Sequence, residues 1–348
     1  MNELPLTVRR SIELVGLFVL GWLLALGNAT LAPLLMSFFI SLVLLPMHHV
    51  LVKWRIPNGL AIALCILFLF VLGSLIVWFF YDQVGALVAD LPAIRKNVTN
   101  HLTSLSNWVT VRTDYSTNQQ LKFINEQSDK LLTYTGLVLN GTLGSVTSLV
   151  VFITLVPLYI FLLMMYRRIL LRFVFMWFRP ETHDRVQDAL TKIQHIVKDY
   201  IVGLAIQITY MTVLVGGGLL LFGIKHALLI GLLFAFLNLI PYVGALLGNI
   251  LGLLITLASS SDLGPLLTVL IVISAAQLLD NNILMPRIVG SQVSINPLAT
   301  IMGVIVGGLI AGIAGMFLAL PIMAVLKIIF DHSDHLKAWG VLLGEDEN

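Results

Sequence analysis

The sequence is poor in charge and nearly free of cysteine. Only 11% of its 348 residues are Asp, Glu, Lys or Arg, against 58% hydrophobic, which excludes an ordinary soluble enzyme. The 20 basic and 18 acidic residues leave a net charge of +2, too small a positive surplus for a nucleic-acid partner. The lone Cys65 lies in an apolar run, has no disulfide or thiolate-metal partner, and is expected to be inert packing. No Gly-x-x-x-x-Gly-Lys-Ser/Thr phosphate loop occurs, so any pumping must draw on an ion gradient or a partner. His48 and His49 are adjacent rather than four apart, no His-Glu-x-x-His is present, and no serine stands with a plausible base. Neither an enzyme, a metal site nor a cofactor is expected.

What the chain has in abundance is uncharged sequence. Runs without a charged residue cover 14–47, 56–81, 131–166, 200–224, 227–261, 263–279 and 288–326. Most reach or exceed the roughly 20 apolar residues that cross a ~30 Å hydrocarbon layer. The fold class is therefore an all-α polytopic membrane protein. Arg9 and Arg10 precede the first run as in a signal peptide, but apolar character continues well past Ala29, which predicts an uncleaved helix. Gly27, Asn28 and Pro33 split that run into two helices.

A third helix is predicted over about 58–81. The segment 82–130 balances five basic against five acidic residues and spaces apolar residues at helical intervals, predicting a pair of amphipathic helices outside the membrane. A fourth helix ends at Tyr166. Seven cations against four acids follow in 167–199, which marks a cytoplasmic connection. Helices five to eight are predicted near 200–222, 227–258, 264–282 and 298–327. The expectation is thus eight crossings with both termini cytoplasmic, organised as 1–81, an extracytoplasmic segment 82–135, 136–199, a transport half 200–330 and a tail 331–348.

Two runs are too long for one crossing. The 35 residues of 227–261 would overshoot the hydrocarbon by about 20 Å as a straight helix. Pro241 and Gly244, in Asn238-Leu-Ile-Pro241-Tyr-Val-Gly244, are the natural break. The run 288–326 carries Asn296-Pro297, Gly303, Gly307, Gly308, Gly312, Gly315 and Pro321, and is expected to be broken or folded back as a re-entrant hairpin. Non-helical backbone at membrane depth needs protein or a watery cavity around it, so such breaks point to a transport path. A weak internal echo, Asn282-Ile-Leu-Met-Pro286-Arg287-Ile-Val-Gly290, pairs a second proline break with the first. Glycines four apart (244, 248, 252 and 303, 307) allow close helix contact.

Asp280 is the rare charge of the apolar half. Intramembrane carboxylates are costly and functional by default, although Asp280 could also cap a helix or pair with Arg287. The other polar residues here are uncharged amides. Candidate path residues are Gln207, Asn238, Pro241, Gly244, Gln277, Asp280, Asn281, Pro286, Arg287, Gly290, Asn296 and Pro297. An amide lining suits a small, neutral or weakly anionic polar solute.

Gln277-Leu-Leu-Asp280-Asn281-Asn-Ile-Leu-Met-Pro286-Arg287-Ile-Val-Gly290, then Ile295-Asn296-Pro297 and the glycine-rich run to Pro321, resembles the signature of the autoinducer-2 exporter family of PerM-like permeases. The segment 238–244 matches as well. The resemblance implies a bacterial inner-membrane protein of about eight helices, a homo-oligomer, exporting the quorum-sensing signal autoinducer-2 or a related small solute. Some members are described as sodium or proton antiporters, which would put the ion on Asp280. A third alternative is a non-transporting membrane scaffold whose outer helices bind a partner.

Overall fold

A computed structural model describes residues 26–112, 153–241, 243–284, 295–333 and 336–344, with isolated positions between 5 and 23. The described elements are helices and turns. In chain order they are α1 (Asn28–Lys53), α2 (Asn58–Ala89), α3 (Leu91–Arg112), α4 (Ile153–Met165), α5 (Arg167–Met176) and α6 (His183–Met211). After α6 comes a π-helical stretch, Thr212–Gly217, and a last helical turn, Gly218–Leu221. Then follow α7 (Ala227–Leu237), α8 (Val243–Ser259), α9 (Gly264–Leu279), a second π stretch Asp280–Leu284, α10 (Pro297–Asp331) and α11 (Lys337–Leu343).

Among the described residues, five helices are long and apolar enough to cross a membrane, or six if the pair α4–α5 is one bent span. The sequence predicts eight crossings; the first lies largely outside the described residues, and the run at 227–258 is a hairpin of two shorter helices, while the run at 298–327 is long enough to be counted but is itself doubled back. Other boundaries differ because backbone hydrogen bonding ignores changes in side-chain polarity. Pro33 sits inside α1 and does not break it. The third helix does not stop at Tyr81 but runs to Ala89. The later part of the basic connection, from His183, and the start of the fifth helix, divided at 199 in the sequence, are one continuous helix, α6, while the earlier part forms the separate α5. Of the two amphipathic helices expected over 82–135, α3 is described, and 113–135 lies outside the described residues.

The chain forms two compact units. The first comprises residues 1–67, 151–202 and 291–348. Its core gathers Phe39 of α1, Ile193 and Val197 of α6, and Leu318 and Ile328 of α10. The Ser37 hydroxyl of α1 lies 2.6 Å from the Pro33 carbonyl oxygen and 3.1 Å from that of Val156 in α4, so its single proton always has an acceptor among the apolar neighbours.

Within this unit α10 is two limbs. Its helical dihedrals fail at Ala311 and at Gly312, whose φ of 58° and ψ of −142° are open to glycine alone. The chain then doubles back, with Gly303 packed on Met323 and Gly307 on Gly315. On one straight helix residues 303 and 323 would be ~30 Å apart. A Cβ on Gly307 would fall 2.5 Å from the Gly315 carbonyl oxygen, so the glycines are what let the limbs touch. The open end is tied as well: Asn296 Nδ2 donates to the carbonyls of Leu342 (2.8 Å) and Gly344 (2.9 Å) beyond the second limb.

The second unit comprises 68–150 and 203–290. Its core runs through Met211, Val215, Phe234, Val269 and Ile273, all fully buried. Here α7 and α8 form another hairpin, with a turn that includes 238–241. Gly244 lies against Leu237, Gly248 against Phe234 and Gly252 against Ile230, the ladder expected of antiparallel limbs. The glycines at 244, 248 and 252 face the partner limb, and the break predicted at Pro241 is the tip of the turn. Gly231 meets Gly216 of the first π stretch, and Gly218 faces Val272. Of the triple glycine 216–218, Gly216 and Gly218 are packed against neighbours, while Gly217 faces open space.

Candidate functional site

In the second unit one face of α6 carries Gln207 and Tyr210, three residues apart and so on the same side. Asn238 caps the end of α7 at the hairpin tip, its N–H bonded to the Phe234 carbonyl at 2.8 Å. Gln277 and Asp280 stand three apart where α9 widens into its π stretch. Single π turns inside α-helices recur at functional sites, and here one follows Tyr210 while the other begins at Asp280.

These residues converge. Asp280 is 2% exposed. Its Oδ2 accepts from Gln207 Nε2 at 3.0 Å and from Asn238 Nδ2 at 3.1 Å. Its Oδ1 accepts from the Tyr210 hydroxyl. Gln277 Nε2 donates to Asn238 Oδ1 at 3.2 Å, which fixes the Asn238 amide so that its NH2 faces the carboxylate. The Gln277 side-chain carbonyl oxygen is buried and, among the described residues, has no hydrogen-bond partner. Among the described residues no cation pairs with Asp280; three neutral donors compensate it. Such a carboxylate can take a proton, a cation or a solute hydroxyl by exchanging one donor, without breaking an ion pair.

Gln207, Asn238, Gln277 and Asp280 are thus brought together, with Pro241 and Gly244 at the adjoining hairpin tip. Tyr210 belongs to the same cluster and was not among the sequence candidates. Its signal is the i, i+3 spacing from Gln207, hidden because a tyrosine in an apolar helix counts as hydrophobic. Asn281 is exposed and outside the cluster. Asn296 and Pro297 belong to the first unit, where Asn296 Oδ1 accepts from Ala299 N at 2.8 Å as the cap of α10 and Pro297 occupies its first turn. Pro286, Arg287 and Gly290, and with them the proposed echo and the Asp280–Arg287 pair, lie outside the described residues.

The other ends of the α7–α8 hairpin are held by α3. Asp90, at its start, places Oδ2 2.7 Å from Lys225 Nζ and 3.0 Å from His226 Nε2. Asn97 Nδ2 donates to the Ala258 carbonyl (3.2 Å) and His101 Nε2 to that of Ser260 (2.8 Å). The Lys225 ammonium holds the Asp90 carboxyl below its ordinary range. Burial lowers the His226 imidazole, an effect that Asp90 opposes and Lys225 reinforces.

The sequence profile of AI-2E family transporters matches residues 14–334. The chain belongs to the AI-2E transporter family. YrrI of Bacillus subtilis is 28% identical over 309 residues, spanning 86% of this chain and 85% of its own. MT0215 of Mycobacterium tuberculosis is 26% identical over 326 residues, 91% of this chain and 86% of its own. Both carry provisional names as transport proteins. The AI-2 transport protein TqsA of Escherichia coli K12 is 26% identical over 319 residues, covering 90% and 89% of the two chains. With its apolar helices, this AI-2E member is a multi-pass membrane protein of a transporter family.

Proposed function

We propose that the chain is a secondary exporter or facilitator of a small polar solute, acting as a homo-oligomer in a bacterial inner membrane, with the Asp280 cluster as the polar station on its path. One observation carries this: a buried carboxylate held by Gln207, Tyr210 and Asn238, beside a proline-tipped helical hairpin and without a cationic partner among the described residues. A site of amides and one phenol recognises hydroxyl groups, which suits a polyhydroxylated furanosyl signal such as autoinducer-2. That solute is the first to test, in keeping with the name of TqsA. Flux of autoinducer-2 into and out of proteoliposomes, with and without a pH or sodium gradient, is the decisive measurement. Absence of both solute and cation flux in a well-folded sample would sink the proposal and leave a scaffold role.

The same carboxylate favours a second reading, proton or sodium antiport centred on Asp280. Cation flux without solute flux in that assay would select it.

A further inference from the structure

In the first unit the chain leaves α4 at Tyr166 and bends by 66° into α5. Its sequence, Arg167-Arg168-Ile-Leu-Leu-Arg172-Phe-Val-Phe-Met176, is amphipathic, with three arginines among apolar residues. Ile169, Phe173, Met176 and Trp177 are exposed, between 56% and 79%. A sharply bent, basic helix with exposed large apolar side chains fits the plane of a membrane interface. Its other side roofs a cavity of about 220 Å³. Phe38 and Leu45 of α1, Met164 of α4, and Leu171 and Val174 of α5 give this cavity mainly apolar walls. Its polar lining is Arg167, Ser41 of α1, whose hydroxyl donates to the Phe38 carbonyl, and Gln187, Thr191 and Gln194 along one face of α6.

Among the described residues Arg167 has no acidic partner. Its Nη1 stands 3.2 Å from His49 Nε2, which must accept there because a guanidinium only donates. Among the described residues Arg168 and Arg172 also make no salt bridge. A half-buried guanidinium at the edge of an aliphatic cavity, with two exposed arginines on the same short helix, calls for an anion attached to a hydrocarbon. The volume argues the same way. At 220 Å³ the cavity is below the roughly 300–1,000 Å³ of sites that engulf a whole small ligand, but it accommodates part of a chain whose remainder stays in the bilayer. A zwitterionic headgroup would bring a cation toward the arginines, which disfavours it.

We propose that this cavity is a lipid site, taking part of one acyl chain of an anionic phospholipid whose phosphate is held by Arg167 with help from the α6 amides. Guanidinium binds phosphate through a planar fork of donors, and juxtamembrane cations attract anionic lipid. The site is independent of the Asp280 cluster and of what that cluster transports.

The test is native mass spectrometry of the full chain in detergent, supplemented with equal amounts of phosphatidylglycerol and phosphatidylcholine of the same chain length. The expected result is one phosphatidylglycerol retained per chain under collision conditions that strip phosphatidylcholine. Arg167→Gln should weaken that retention about tenfold, and Arg167→Lys less. Val174→Trp, which fills the cavity, should weaken it with all arginines in place. Arg179→Gln, an exposed cation outside the lining, should bind like wild type. Should Val174→Trp fail to fold, Arg167→Gln and a soluble glycerol phosphate competitor still decide. Displacement by glycerol phosphate would mean a phosphate site without a chain. Equal retention of phosphatidylcholine, or wild-type retention in Arg167→Gln, would equally overturn the proposal.

Discussion

Asn238 and Asp280 are hydrogen-bonded at 3.1 Å, which joins the tip of the α7–α8 hairpin to the π stretch that ends α9. Any movement of the tip must break that bond or carry the carboxylate with it. Gln277, which donates to Asn238 Oδ1, makes the link two-sided.

Replacing Asp280 by Asn keeps its shape but removes the acceptor pair. Three donors would then face a group that is itself half donor, leaving a buried N–H unmatched at about 1–3 kcal/mol. Asp280→Asn should lower the melting temperature and abolish any pH or sodium dependence of flux. Wild-type flux at every pH would remove the carboxylate from the transport step.

Tyr210→Phe deletes one donor to Asp280 and leaves the ring. The cost should be about 1–3 kcal/mol, since a buried acceptor is left short of one donor. Thermal melts read the stability term, and transport scaled to folded protein reads the rest. A melt identical to wild type would mean that the phenol is dispensable to the cluster.

The glycines separate by what surrounds them. A Cβ at Gly244 would lie 1.6 Å from the Leu237 carbonyl oxygen, so Gly244→Ala should force the hairpin limbs apart at a cost of 1–3 kcal/mol or more. Gly73 in α2 has nothing within 4 Å of such a Cβ, and Gly73→Ala should gain up to about 1 kcal/mol of helix propensity. Gly312 also has open space, yet its φ of 58° should make Gly312→Ala destabilising all the same. Melting temperatures of the three variants should fall in the order 73, 312, 244.

Several of these features are legible in the sequence. A 35-residue uncharged run with Asn238, Pro241 and Gly244 at its middle has to turn, because a straight helix would leave the membrane. The amides and Asp280 stand out because polar side chains are rare in that half. What the sequence hides is pairing. Tyr210 looks like packing until Asp280 is found opposite its hydroxyl, and the π stretches leave no compositional trace. The continuity of α6 is hidden for the converse reason, since charge density changes near residue 199 while the backbone does not.

The α3–hairpin contact should weaken in acid. His226, lowered by burial, contributes stability while neutral; that contribution is complete above the ordinary value of 6.5 and is lost as pH falls through the depressed folded value. Asp90, lowered by Lys225, adds a second loss that begins only below about 3.8. His226→Asn, which tolerates the left-handed backbone there (φ 57°), should flatten the first phase and keep the second. Melting temperature against pH, from about 8 to about 2, reads both; a first phase that survives the substitution would place it elsewhere.

The bond between Asn296 N and the Leu343 carbonyl, at 3.0 Å, has a use in topology mapping. Two atoms that close must share a compartment. A reporter appended after Gly344 and an epitope inserted just before Asn296 should therefore be reached by the same impermeant label, despite the 35-residue helical segment between them.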